Sequence, residues 1–231
     1  MQICGLQKTT LLDYPGKVAA TIFIAGCNFR CSYCHNMNIV EDFEGLPRIS
    51  EEEILSFLKK REGILDGVCI TGGEPTLYKE LPDFMERIKR LGFLVKLDTN
   101  GTNPEMLGIL IRDGLTDYVA MDIKTSLNNY PQVAGISRVD TDRLRQSIDI
   151  LLSERIPYEF RTTVVREYHT FKVFEEIGEM IRGCKNYYLQ AFKDSEYVRL
   201  HTLTSYNKEE LQGIAGQLEK YDVKAYVRGI D

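Results

Sequence analysis

The chain has 231 residues, 43% of them hydrophobic and 27% charged, which is enough to bury a full core as one unit spanning 1–231. A formal net charge of −5 argues against nucleic acid as the main partner. No apolar run approaches membrane-spanning length and no signal-peptide pattern opens the chain, so no membrane association and a reducing, cytoplasmic setting are expected.

Short β-branched runs alternate with amphipathic helical patterns, with no repeat or linker between them. Residues 18–25 read as a strand that leads directly into A-G-C-N-F-R-C-S-Y-C-H-N, residues 25–36. Ser50 and Glu53 form a capping box ahead of Ile54, Leu55 and Leu58, predicting a helix over about 51–62. Val68–Thr71 is a buried strand, followed by a helical stripe of Leu81, Phe84, Met85, Ile88 and Leu91. Strands over 93–97, 118–123, 158–165, 187–190 and 223–227 then alternate with helices begun by Asn103-Pro104 or striped by Leu144–Leu152, Phe174–Ile181 and Leu211–Leu218. Such alternation implies a parallel sheet with right-handed crossovers. Six units and one further strand are too few for a closed eight-stranded barrel, so an α/β partial (β/α)6 barrel with an extra C-terminal strand is expected.

Three cysteines, Cys27, Cys31 and Cys34, share the loop at 26–36, spaced four and three apart. Three thiolates turned to one centre suit a soft metal or an iron–sulfur cluster, and with three rather than four ligands one position stays open. A disulfide disagrees with a reducing setting, and zinc would need His35 as a fourth ligand beside Cys34. Cys4, Cys69 and Cys184 are scattered and read as core or neutral.

In a parallel barrel, functional groups gather at the C-terminal ends of strands. Those ends carry Thr71-Gly72-Gly73-Glu74-Pro75, Asp98-Thr99-Asn100-Gly101, Asp122 with Lys124, and Arg161 with Thr163. Paired glycines permit close backbone approach, Glu74 offers an acceptor for an ammonium group, and Asp122 with Lys124 suits a zwitterion. The competing accounts are a plain turn at GGEP, local backbone bonds at DTNG, and salt bridges at Asp122–Lys124 and Arg161. His169 and His201 lie in polar stretches and read as surface or loop residues.

The pattern Cys27-x3-Cys31-x-Tyr33-Cys34 resembles the cluster loop of the radical S-adenosylmethionine enzymes, and GGEP resembles their GGE element. The resemblance implies one domain over 1–231, a [4Fe–4S] cluster on the three cysteines, and S-adenosylmethionine on the open iron. It further implies that Tyr33, Gly72, Gly73, Glu74, Asp98, Thr99 and Asn100 surround that cofactor, and the strand-end positions of Asp122, Lys124 and Arg161 add these residues to it, with Gln190 near adenine at the end of the sixth strand. By the same resemblance Asp98 and Asp122 could hold a monovalent cation. The run L-L-D-Y-P-G-K before the first strand, with Cys34-His35-Asn36 after the loop, is similar to activating enzymes of glycyl-radical proteins, those of anaerobic ribonucleoside-triphosphate reductase above all. A ferredoxin-like insert found in part of that group is absent, since residues 37–73 contain only Cys69. The implied partners are a glycyl-radical enzyme and a flavodoxin or ferredoxin as electron donor. Two other readings stand beside this one: a radical enzyme acting on a small molecule, similar to 7-carboxy-7-deazaguanine synthase, and a non-catalytic iron–sulfur electron carrier.

Overall fold

The computed structural model describes residues 1–41 and 43–230. One eight-stranded sheet runs in strict chain order from β1 to β8: β1 (Ile3–Thr10), β2 (Ala19–Ile24), β3 (Gly67–Gly72), β4 (Leu94–Thr99), β5 (Tyr118–Asp122), β6 (Tyr158–Val164), β7 (Tyr187–Ala191) and β8 (Ala225–Arg228). From β2 onward every neighbouring pair is parallel. No pairing joins β1 to β8 among the described residues, so the sheet stays open.

Helices α1 (Met37–Val40), α2 (Glu51–Lys59), α3 (Leu81–Arg90), α4 (Pro104–Arg112), α5 (Tyr130–Ala134), α6 (Thr141–Leu152), α7 (Phe171–Met180) and α8 (Lys208–Leu218) lie in the connections. Six β/α units followed by β8 make the expected partial barrel. The capping box at Ser50 and Glu53 forms, with the Glu53 amide donating to Ser50 Oγ at 3.2 Å and the Ser50 amide to Glu53 Oε2 at 2.8 Å. Asn103 caps α4 through the Met106 amide, and Pro104 follows it at the first helical position.

The N-terminal strand and the two shortest helices, α1 and α5, went unpredicted. β1 pairs antiparallel with β2, and only Ile3 and Thr10 of its eight residues are buried. An edge strand with irregular register between Ile3 and Gly5 and between Gln7 and Thr10 carries no clean alternation to read.

Because successive strand residues face opposite sides, Ile70, Leu97, Met121 and Phe160, all fully buried, pack with the helices. Their neighbours Lys96, Asp98, Asp122, Glu159 and Arg161 turn inward, so the lumen is filled by charged groups rather than hydrocarbon. The lumen floor is closed by the D-Y-P-G turn. Asp13 accepts from Thr21 Oγ1 at 2.5 Å, and the ring of Tyr14, 4% exposed, sits 6.0 Å from that of Tyr118. This motif therefore acts at the strand N-termini, the end opposite the cysteine loop. No helix is long and apolar enough to cross a membrane among the described residues.

Candidate active site

The cysteine loop leaves β2 and is held from three sides. The Arg30 amide donates to the Ala134 carbonyl at 2.7 Å, so the end of α5 pins the loop, and the Phe29 ring lies 6.3 Å from Tyr130. Gly135 takes φ +68° there, and a Cβ on it would meet the Arg30 carbonyl oxygen at 2.2 Å. On a second side Ser32 Oγ bonds Tyr168 Oη at 2.8 Å, and its carbonyl accepts from the amides of Arg199 and Leu200. On the third, the Gly73 amide donates to Ile24 O at 2.7 Å and the Glu74 amide to Gly26 O at 2.8 Å.

That third contact explains the paired glycines. A Cβ at Gly73 would lie 1.9 Å from Gly26 O, and one at Gly72 2.4 Å from Ile24 O. The close approach expected at a ligand is, in the fold, an approach to the cysteine loop's own backbone. Gly73→Ala should cost about 1–3 kcal/mol through forced displacement and lower cluster retention; urea midpoints and iron per chain check this, and wild-type values for both would contradict it.

One cavity of about 250 Å³ opens at the C-terminal ends of the strands. Its lining includes Cys27, Cys31, Tyr33, Cys34, Gly72, Gly73, Asp98, Thr99, Asn100, Asp122, Lys124 and Arg161, together with Thr163 and Gln190. The fold thus gathers every candidate residue but one. Glu74 is fully buried and does not line the cavity. Its Oε1 accepts from the Thr76 amide (3.1 Å), Thr76 Oγ1 and Thr99 Oγ1 (2.8 Å), and its Oε2 from the Asn100 amide (2.6 Å). Burial raises its carboxyl above the ordinary range despite these four donors. In place of an exposed ammonium acceptor, Glu74 is a bracket that ties the end of β3 to the end of β4.

Asn100 extends the bracket to the thiols. Its Nδ2 donates to Asn28 Oδ1 at 2.8 Å and lies 3.8 Å from Cys27 Sγ. Asn36, to which the C-H-N element alone gives no role, donates from Nδ2 to Gly72 O at 3.0 Å and lines the cavity.

Beneath the thiols runs a ladder of opposite charges. Lys96 pairs with Asp98 Oδ1; Arg161 Nη1 reaches Asp98 Oδ2 at 3.1 Å and its Nε reaches Asp122 Oδ1 at 2.8 Å; Lys124 Nζ meets Asp122 Oδ2 at 2.9 Å. Three cations against two carboxylates leave one unit of positive charge below the cavity. Lys96, 2% exposed, was missed: a lysine between Val95 and Leu97 looks like the outward position of a half-exposed strand. Burial alone would raise both aspartates, but the Arg161 guanidinium, helped by Lys96 at Asp98 and Lys124 at Asp122, holds both below the usual carboxylate range.

A depressed folded pKa contributes stability above the unfolded value of about 3.9, and that contribution is lost as pH falls towards the folded value. Urea midpoints should be level from about pH 7 to 5 and fall below about pH 4, with a shallower fall in Asp122→Asn. An unchanged acid limb in that variant would contradict the ladder's role.

His169 differs from expectation. It is fully buried, its Nε2–H donates to the Lys124 carbonyl at 2.8 Å, and its Nδ1 accepts from the Val165 amide at 3.0 Å. Burial lowers its pKa, so it stays neutral and holds the end of β5 to the β6 exit turn. His201 is exposed, beside Asp194.

The donor set fits an iron–sulfur cluster. All three thiols are free of disulfides and border one cavity. The amides of Phe29 and Asn36 point at Cys27 Sγ (3.3 Å) and Cys34 Sγ (3.4 Å), the bonds that stabilise ligated sulfur. The buried Tyr33 hydroxyl beside them has no protein partner. Burial pushes the Cys27 thiol up to about 12 and Cys31 to about 11, so thiolates here require a bound cationic centre. A single zinc ion fits less well. His35 Nε2 is engaged by the Lys193 carbonyl at 2.6 Å and its ring packs on Phe192. No group of three His, Cys, Asp or Glu is poised around one ion among the described residues. A cluster takes one cysteine per iron and so accepts a wider spacing.

Comparison with known proteins agrees with this geometry. The chain is 32% identical to a protein of Methanocaldococcus jannaschii provisionally named a glycyl-radical enzyme activating enzyme, over 99% of this chain and 96% of that one. It is 29% identical to the 7-carboxy-7-deazaguanine synthase of Koribacter versatilis, over 73% and 72%. Its fold superposes on Streptococcus suis SuiB, solved with S-adenosylmethionine, at a TM-score of 0.69 and 14% identity, covering 89% of this chain and 49% of that one. Residues 21–181 match the family described as the radical SAM superfamily. The chain therefore belongs to that superfamily and is an enzyme of the kind that works with a [4Fe–4S] cluster and S-adenosylmethionine.

Proposed function

We propose that this enzyme activates a glycyl-radical protein, most specifically an anaerobic ribonucleoside-triphosphate reductase. The observation that carries the reading is similarity along the whole chain, 99% of it, to a relative named for that activity. The D-Y-P-G and C-H-N elements favour the reductase as the particular partner.

In this reading residues 1–231 form one domain, and Cys27, Cys31 and Cys34 hold the cluster. Given one electron from a flavodoxin- or ferredoxin-type donor, the bound pair supplies cleavage of the cofactor's sulfur–carbon bond to methionine and a 5′-deoxyadenosyl radical, which takes hydrogen from a glycine Cα. The chain's own residues bind, orient and shield. Asp122 and Lys124 face the zwitterionic methionyl group, Asp98 and Asn100 the ribose side, and Gln190 the adenine side. Tyr33 packs beneath the loop, its ring 6.0 Å from Tyr168. Glu74, Thr99 and the two glycines act by fixing the strand ends to the loop. No side-chain acid or base is required, and the protein works in the cytoplasm without nucleic acid or membrane.

A small-molecule substrate is the second reading, supported by the 29% identity to a deazaguanine synthase. Anaerobic electron paramagnetic resonance on a mixture of cluster-loaded enzyme, cofactor, reductant and reductase decides between them. A glycyl-radical doublet on the reductase is expected. Cofactor cleavage without a doublet would move the assignment to the small molecule, and an intact reduced cluster with no cleavage would leave an electron carrier.

A further inference from the structure

The two aspartates facing the cavity invite a monovalent cation, and the structure argues against one. Each of their four carboxylate oxygens already has a cationic partner from the chain. Lys96 takes Asp98 Oδ1, Arg161 takes Asp98 Oδ2 (3.1 Å) and Asp122 Oδ1 (2.8 Å), and Lys124 takes Asp122 Oδ2 (2.9 Å). An alkali ion is a hard cation that needs several oxygen ligands at once, and none of these oxygens is uncommitted.

The residue that makes the difference is Lys96. At 2% exposure it cannot swing into solvent, and its Nζ is enclosed by Asp98 and by Cys69 Sγ at 3.8 Å. Its ammonium brings the same unit charge as an alkali ion, with three donors, on a tether. The ladder already carries one excess positive charge, so a further cation would enter an unfavourable field.

We propose that Lys96 is a built-in replacement for a monovalent cation, a positioning residue that holds Asp98, and through it Arg161, for cofactor binding without Na⁺ or K⁺. This rests on reading the cavity as the S-adenosylmethionine pocket, and the test keeps the two apart. Cofactor affinity of cluster-loaded protein, by anaerobic equilibrium dialysis, and melting of cluster-free protein are measured in choline, sodium and potassium chloride at equal ionic strength. Wild type should give the same values in all three salts. Lys96→Met should bind about tenfold more weakly in choline, recover in sodium or potassium, and melt lower in choline than in either. If Lys96→Met does not fold, Lys96→Gln, which keeps the length and a donor, should show the same salt dependence. Salt-dependent wild-type affinity or melting, or salt-independent behaviour of the variants, would overturn the proposal. If no protein binds the cofactor in any salt, the pocket reading fails, while the melting comparison still decides the role of Lys96.

Discussion

Cys31→Ala should abolish cluster assembly and cofactor cleavage while leaving the fold intact. Cys31 is 6% exposed in the loop and packs against the hydrophobic core, so removing its thiol to leave a methyl group opens a small void costing about 1 kcal/mol. The loop's anchors, Arg30 to Ala134, Ser32 to Tyr168 and Gly26 to Glu74, are backbone bonds or lie on other residues, and they survive the change. Two thiols cannot replace three irons' worth of ligation. Iron per chain and released 5′-deoxyadenosine should therefore fall to background with a nearly unchanged urea midpoint. Cleavage persisting at the wild-type rate would remove the cluster from the loop.

Arg161→Met should be the most damaging change in the ladder. The guanidinium joins two carboxylates with one planar fork, and its side chain is only 19% exposed. Removing it leaves Asp98 and Asp122 facing each other with one lysine apiece, and breaking a largely buried pair costs about 3 kcal/mol. Arg161→Lys should recover only part of this, because one ammonium cannot span both carboxylates. Cofactor affinity should fall with stability, since the positive excess below the cavity is gone. In the combined Arg161→Met, Asp98→Asn variant the losses of the two single variants should not add, because the Arg161–Asp98 bond they share is removed only once. Urea denaturation of wild type, Arg161→Met, Asp98→Asn and the combined variant checks this, and additive losses would contradict the bridge.

How far these residues could be read from the chain depended on what each signal encodes. The cysteines and the strand-end polar groups stood out because a hydrophobic core would not choose them, and the fold assembles them around one cavity. Direction was the harder matter. G-G-E-P shows residue types at a turn but not whether Glu74 faces the lumen or the neighbouring strand, and two donors from its own turn and two from the end of β4 turn it away from the lumen. Lys96 was hidden by its own alternation: polar every second residue reads as solvent on one face, whereas here that face is the lumen. His169 looked like a loop residue because its partners, the Lys124 carbonyl and the Val165 amide, are backbone groups that leave no mark in the sequence. β1 escaped because an irregular edge strand has only two buried positions.

The proposed abstraction of hydrogen from a glycine of a partner protein is tested most directly by isotope transfer. Anaerobic ribonucleotide reductase labelled with glycine deuterated at Cα would be mixed with cluster-loaded enzyme, cofactor and reductant, and the released 5′-deoxyadenosine weighed by mass spectrometry. One deuterium is expected in the product, dependent on the reductase. Product formed in its presence without deuterium would mean that the hydrogen comes from elsewhere and that the partner glycine is not the substrate.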